Sequence, residues 1–415
     1  MLKKVENRVD LCIIGGGASG FFAAATLIEK MPDANIVILE QGKSVLQKVK
    51  ISGGGRCNVT NAVDDKNEFA QHYPRGSKAM RQRLYDLSNK DIVKWFEDRN
   101  VPMKAEADGR MFPVSDSSQS IIDCLHHATI RKGVQLKTSC KVLKIEKVGS
   151  DFVCQTTTGE IVAEHVLVAS GGVQSGNLPA FIPILASEWI TTVPSLFTFK
   201  VNPFDLVEYA GVSFENATID VQFGKQKYTS SGPLLITHWG FSGPCVLKLS
   251  SKLAFDAHDT GYNFPFTINF INQKIDDADA ALLKLVAEHG KGLVKNKHDF
   301  DVSKRFWQYI IEKSGVKPDE RWSDINKTVR KNIAINLVQM PFQANGKSMF
   351  KEEFVAAGGV DLKALKAKNY EHKTLENLYF SGEILNVDGF TGGFNFQNAW
   401  CSGFAVANDI AKKIC

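Results

Sequence analysis

The sequence predicts an α/β fold built on a Rossmann-like domain, and three observations predict it. The apolar run Val9–Ile14 passes through Gly15-Gly16-Gly17-Ala18-Ser19-Gly20 into an apolar helical stretch, Phe21–Ile28. A second strand-like run, Asn35–Leu39, follows and ends at Glu40. Strand and helix signals then alternate through the first 170 residues, as in a doubly wound sheet.

Gly15, Gly17 and Gly20 have the spacing of a dinucleotide-binding turn. The first permits the tight turn, the second admits a pyrophosphate to the backbone, and the third lets helix and strand pack closely. The helix start at Ala18 and Ser19 then offers unpaired N–H groups and a positive dipole end to phosphate. Glu40, with Gln41 beside it, lies 20 residues beyond Gly20, where a carboxylate accepts hydrogen bonds from an adenosine ribose. These features predict a bound dinucleotide.

Downstream, Lys78–Asn100 reads as a helix anchored by Leu84, Leu87, Ile92, Trp95 and Phe96. Val134–Ile145 and Phe152–Thr157 read as strands, and Gly159 marks a turn into Ile161–Ala169, which runs into Ser170-Gly171-Gly172. That glycine pair is not a second dinucleotide turn, because Val173 stands where the next motif glycine is required. Beyond about residue 195 the texture changes. Thr218–Phe223 and Pro233–His238 are strand-like, and Phe264, Phe266, Ile268 and Phe270 alternate at period two, the pattern of a small antiparallel barrel. Ala280–His289, Ser303–Ser314 and Ser323–Met340 read as helices, and the chain returns to β/α texture before a last helix, Gln397–Ile414. The expected organisation is a discontinuous nucleotide-binding domain (1–195 and 345–415), a β-rich insertion (196–272 and 328–344) and a helical insertion (273–327).

The bulk composition excludes several classes. A hydrophobic content of 44% and a charged content of 23% are those of a globular protein, and no apolar run is long enough for a membrane span. Met1–Arg8 lacks the apolar core of a leader. The net charge of +5 comes without a dense basic block, so no nucleic-acid partner is expected. Eight scattered cysteines with no Cys-x-x-Cys pair suit a reducing cytoplasm and predict neither a disulfide framework nor a metal site.

Two further clusters carry chemistry. Ser52-Gly53-Gly54-Gly55-Arg56-Cys57-Asn58-Val59-Thr60-Asn61 brings backbone close to a planar or phosphorylated ligand, with Arg56 and the upstream Lys48 as anion partners; a flexible surface loop is the alternative. Near the C-terminus, Leu378–Phe380 leads into Gly382-Glu383, and Gly392-Gly393-Phe394-Asn395-Phe396-Gln397 opens the last helix. A carboxylate after a strand can bind ribityl hydroxyls, and a helix N-terminus can stabilise charge on a reduced flavin.

Taken with Thr237-His238-Trp239-Gly240-Phe241-Ser242-Gly243-Pro244, these motifs make the chain resemble the HI0933-like (YhiN/BaiN-type) bacterial NAD(P)/FAD-dependent oxidoreductases over nearly its whole length. The resemblance implies an FAD-binding domain of glutathione-reductase type, interrupted by a β-rich, barrel-like insertion and a small helical one. It implies that Gly15, Gly17, Ser19 and Gly20 hold the pyrophosphate, Glu40 the ribose and the Val142 backbone the adenine. Gly382, Glu383 and Asn395–Gln397 would surround the ribityl chain and flavin, with Gly53–Asn58, Ser170–Gly172, Gly393 and Phe394 completing the cofactor contacts. His238 is the candidate proton donor, and Arg110, in the family-like Gly109–Pro113 segment, the candidate substrate clamp. The implied activity is hydride transfer through non-covalent FAD to a small organic substrate in the cytoplasm, with NAD(P)H as co-substrate. Two rivals are an FAD-dependent RNA-modifying enzyme and a non-catalytic flavin-binding sensor.

Overall fold

A computed structural model describes residues 8–173, 176–348 and 355–414. Met1–Asn7, which bear most of the leader expectation, and Cys415 lie outside the described residues. The chain forms two compact units, Met1–Ser195 with Phe350–Cys415, and Leu196–Met349.

The first unit is built on a seven-stranded sheet. Its parallel part runs Gln135–Lys137, Ile36–Leu39, Arg8–Ile14, Gly159–Val168 and Leu378–Phe380. Arg8–Ile14 and Ile36–Leu39 are apolar in nearly every residue because layers cover both faces of a parallel sheet. Gly159–Val168 has a double role: its first half pairs antiparallel with Asp151–Thr156, and its second half pairs parallel with Leu378–Phe380. The helices Ala18–Lys30 and Phe394–Ile414 pack together, and their apolar faces join the sheet in one core that includes Phe22 and Trp400.

The second unit is a closed six-stranded antiparallel barrel. The period-two phenylalanines, Phe264, Phe266 and Phe270, point inward and meet Phe199, Phe214 and Phe241. The helices Ile275–His289, Lys304–Lys313 and Lys327–Val338 share this core through Leu282, Trp307 and Leu337.

Several element boundaries differ from the sequence reading: the helix expected over Ala280–His289 begins at Ile275, and the strands expected over Thr218–Phe223 and Pro233–His238 are Ser213–Phe223 and Gln226–Thr237. The stretch 78–100 is two helices, Ser77–Asp86 and Asn89–Glu97, because Ser88 forms a capping box with Asp91 and starts a new helix. The stretch 134–145 is two strands, Gln135–Lys137 and Val142–Val148, broken where Ser139 takes a positive φ of 52°. The helix expected from Ser323 begins at Lys327, since the Asn326 side chain accepts from the N–H groups of Thr328 (2.9 Å) and Val329 (3.0 Å). The last helix begins at Phe394, three residues earlier than expected.

The C-terminal part of the first unit holds a buried carboxylate. Glu371 is 1% exposed, bonded by Lys413 (2.7 Å), Lys366 (2.8 Å) and the Asn377 N–H (2.9 Å). Burial pushes its pKa up, but the Asn377 and lysine bonds outweigh that and hold it at about 2. A depressed folded pKa gives stability that is present above the unfolded value and lost as pH falls through the folded one. Acid unfolding between about pH 4.5 and 2 therefore withdraws up to about 3 kcal/mol from this group. Urea unfolding of a Glu371→Gln variant should show a shallower loss of stability across that window; an unchanged acid dependence would remove Glu371 as its source.

Candidate functional site

Four candidate segments leave the sheet at the same edge. Gly15–Gly17, Glu40–Gln41, Ser170–Gly172 and Gly382–Glu383 each follow the C-terminal end of a parallel strand. Arg8–Ile14 is paired on one side with Ile36–Leu39 and on the other with Gly159–Val168, so the strand order reverses there. Ligands of open α/β sheets bind in the crevice at such a switch point.

Glu40 is fixed by two backbone donors, Gly16 N–H (2.9 Å) and Gly42 N–H (2.7 Å). Its backbone bonds to Lys137 and Cys140 carry the chain toward buried Val142 at the start of Val142–Val148. Gln41 is exposed. The helix Ala18–Lys30 has neither a side-chain N-cap nor an acid in its first turn, leaving its first N–H groups for another acceptor. The Ser19 hydroxyl is spent elsewhere, donating to Ser381 at 2.6 Å.

Lys48, Gly172 and Glu383 meet. Lys48 pairs with Glu383, which also accepts from the Ala356 N–H (3.1 Å), and Gly172 backs directly onto the carboxylate. Gly53–Gly55 fall at the end of the helix Gln47–Gly55, not in a free loop; it breaks at Ser52, and all three glycines have positive φ. Arg56 is bound to Glu106 (2.6 Å), with Asp116 at 3.6 Å, and lies over Phe112. Arg110 is held by Asp108 (2.7 Å) and Glu106 (2.8 Å). Both arginines are thus anchored by carboxylates that sequence reading missed. Burial pushes the Cys57 thiol up to about 12, so it carries no thiolate at neutral pH.

The glycine-rich run and the C-terminal segment meet as well. Thr60 donates to Gln397 (2.6 Å), Asn61 to the Gly392 carbonyl (3.0 Å) and the Trp400 indole to Val59 (2.9 Å). Asn395 closes its own loop through both atoms of Gly389, and Tyr73 donates to the Phe394 carbonyl (2.6 Å). Gly393 and Phe396 are half-buried beside them. Asp388, fully buried, takes a forked pair of 2.5 Å bonds from Arg75 and another from Ser195. An acid inside a glycine-rich run was the available signal for it. His238 lies in the second unit, exposed on the turn between Gln226–Thr237 and Gly240–Ser242.

The donor set fits a dinucleotide. Gly17, Gly54 and Gly171 present bare backbone to open space, and the buried Oδ1 atoms of Asn58 and Asn398 have no partner. Among the described residues no group of His, Cys, Asp and Glu is placed to hold a metal, and no helix is long and apolar enough to cross a membrane.

Gly17 and Gly20 separate two roles. A Cβ at Gly20 would lie 2.4 Å from the Gly15 carbonyl oxygen, whereas one at Gly17 meets nothing within 4 Å. Gly20→Ala should cost more than about 2 kcal/mol by urea unfolding, as overpacking does, and Gly17→Ala no more than about 1 kcal/mol. Equal losses would contradict this assignment.

The chain resembles known proteins over nearly its whole length. The family model of the HI0933-like protein Rossmann domain matches residues 9–409. A ribosomal RNA dihydrouridine synthase of Haemophilus influenzae is 28% identical, covering 97% of this chain and 98% of its own. A 3-dehydro-bile acid delta(4,6)-reductase of Clostridium scindens is 25% identical, covering 98% and 100%. The crystal structure of 3-ketosteroid delta1-dehydrogenase from Sterolibacterium denitrificans shares the fold, with TM-score 0.52 and 11% identity over 98% of this chain and all of that one. With the family motif running from the first strand into the last helix, the chain belongs to the HI0933-like family of Rossmann-fold, FAD-binding oxidoreductases.

Proposed function

We propose that the chain is an FAD-dependent reductase that saturates a carbon–carbon double bond conjugated to a carbonyl, using NAD(P)H as reductant. The observation that carries the cofactor part of this reading is the convergence of Gly15–Gly20, Glu40, Ser170–Gly172 and Glu383 at one switch point. In this reading the bare amides from Gly17 to Gly20 bind the pyrophosphate. Glu40, already oriented by Gly16 and Gly42, accepts from the ribose hydroxyls, and the Val142 backbone meets the adenine. The Lys48–Glu383 pair faces the ribityl chain. Gly53–Asn58 and Gly393–Gln397 enclose the ring, with the N-terminus of Phe394–Ile414 supplying positive potential. Bound FAD supplies the hydride chemistry.

The reaction class rests on what the relatives' names share. Making dihydrouridine saturates a ring double bond conjugated to a carbonyl, and a delta(4,6)-reductase of a 3-dehydro bile acid saturates the same kind of bond. In the simplest such reduction, of a single conjugated double bond, hydride adds to the carbon remote from the carbonyl and a proton to the adjacent one. A small organic enone is the first reading of the substrate. A uracil in RNA is the second, favoured by the dihydrouridine synthase relative that spans nearly the whole chain.

Purified protein should be yellow, with flavin bands at about 370 and 450 nm, and anaerobic NADH or NADPH should bleach them. The reduced protein should then be reoxidised by a 3-oxo-4,6-diene steroid, or should form dihydrouridine in ribosomal RNA detectable by mass spectrometry. Colourless protein that takes up no FAD would defeat the reading. Gly17→Ala should weaken FAD binding roughly tenfold or more, since its Cβ enters the space for the pyrophosphate. A His238→Asn variant with the parental rate at every pH would exclude His238 as proton donor.

A further inference from the structure

The helices Lys66–Gln71 and Ser77–Asp86 border the candidate ring-binding loop without belonging to it. Their inner faces are buried through Phe69, Ala70, Met80 and Leu84. The link between them is fastened to the loop: His72 stacks on Phe394 at 4.3 Å, Arg75 forks onto Asp388, and Gly76 backs onto Val387.

Their outer faces are not explained by folding. A cleft of about 420 Å³ lies between the helices, lined by Asn67, Ala70, Gln71, Ser77, Lys78 and Arg81. Lys78 and Arg81 are exposed and make no ion pair; of the nearby acids, Asp86 pairs with Arg83 (2.9 Å), Asp64 with Lys90 (2.8 Å) and Asp65 caps its helix through the Glu68 N–H (2.8 Å), while Glu68 is exposed. Tyr85 follows Arg81 by four residues and Lys78 by seven, so the three share one helix face spanning about 10 Å. Tyr85 is 67% exposed, more than any other large apolar side chain among the described residues, and the Lys66 ammonium sits 4.3 Å from its ring centroid.

We infer that this face docks single-stranded RNA, with Lys66, Lys78 and Arg81 on backbone phosphates and Tyr85 stacked on a base. The inference rests on the second substrate reading above. Cations alone would suit any polyanion; a well-exposed aromatic ring among them, already paired with the Lys66 ammonium, is what a base requires, and neighbouring amides supply sequence-tolerant hydrogen bonds. Through His72, Arg75 and Gly76 this face is tied to the 387–394 loop, part of which is proposed above to enclose the ring.

The test is fluorescence anisotropy of labelled oligouridylate with the full-length protein over a salt series. Wild-type binding should weaken with salt. Lys78→Glu and Arg81→Glu should each flatten the log–log slope by about 0.7, the share of one phosphate contact. Tyr85→Ala should weaken binding roughly tenfold with little change in slope, and Lys30→Glu, an equal charge change elsewhere, should do neither. Absence of salt-dependent binding, equal loss in Lys30→Glu, or binding through these residues to phosphatidylserine vesicles but not to oligouridylate would overturn it. Dihydrouridine formation separates the two proposals. If it proceeds in ribosomal RNA with unchanged KM in the variants, the surface falls and the substrate reading stands. If the variants lose oligouridylate but wild type forms no dihydrouridine, the surface stands and the substrate reading falls.

Discussion

The structure of the first unit depends on one close contact between segments nearly the whole chain apart. The helix Ala18–Lys30 and the helix Phe394–Ile414 cross so tightly that a Cβ on Gly403 would lie 2.7 Å from the Ser19 carbonyl oxygen. The same junction carries the Ser19–Ser381 bond of 2.6 Å and the bond from Gly382 N–H to Ser402 at 2.9 Å. Everything proposed for the crevice follows from it. The turn proposed to face phosphate opens the first helix, and the loop proposed to face the ring leads into the last. Neither half is a site without the other. Loop-closure entropy grows only with the logarithm of loop length, which is why a whole barrel unit can sit between the two segments at a modest cost in stability.

Charge around the crevice is arranged with the same economy. Lys48, Arg56 and Arg110 are the cations the sequence offers as anion partners, and each is held by carboxylates: Glu383, Glu106 with Asp116, and Asp108 with Glu106. These pairs are partly exposed to solvent and contribute little to stability. Their effect is positional, pinning Arg56 over Phe112 and Lys48 beside Gly172. Backbone amides are left as the donors for phosphate, and amides fixed by strand and helix need no reorganisation to receive an anion.

Much of this was legible before any coordinates. The turn at Gly15–Gly20, the strand ending at Glu40 and the period-two phenylalanines follow local rules, so sequence pattern and structure coincide there. What the pattern could not carry was partnership. Nothing local says that Thr60 bonds Gln397, that Glu106 joins Arg56 to Arg110, or that Asp388 is buried against Arg75 and Ser195. Boundaries slipped where a side chain outcompeted propensity, as at Ser88, Asn326 and Ser139. The last case matters for the proposed site: Ser139 and Cys140 turn back to bond Gly42 and Glu40, and that break precedes Val142, whose backbone is proposed to meet the adenine.

A crevice of this kind can hold the cofactor but does not choose the acceptor. The relatives make the point: one is named for a nucleoside in ribosomal RNA and another for a bile acid, yet both align with this chain from end to end. The bond they reduce is common, and the bodies that carry it differ in size, charge and solubility. Selectivity must then come from surfaces that touch the rest of the substrate, where binding energy remote from the reacting bond sets the rate of a given chemistry. In this chain the proposed docking face has that character: Lys78 and Arg81 make no ion pair, Tyr85 is well exposed, and the helices are fastened to the 387–394 loop. A bile acid offers one anionic group and no repeating phosphate, so it would leave most of that face unused; a polynucleotide would use all of it.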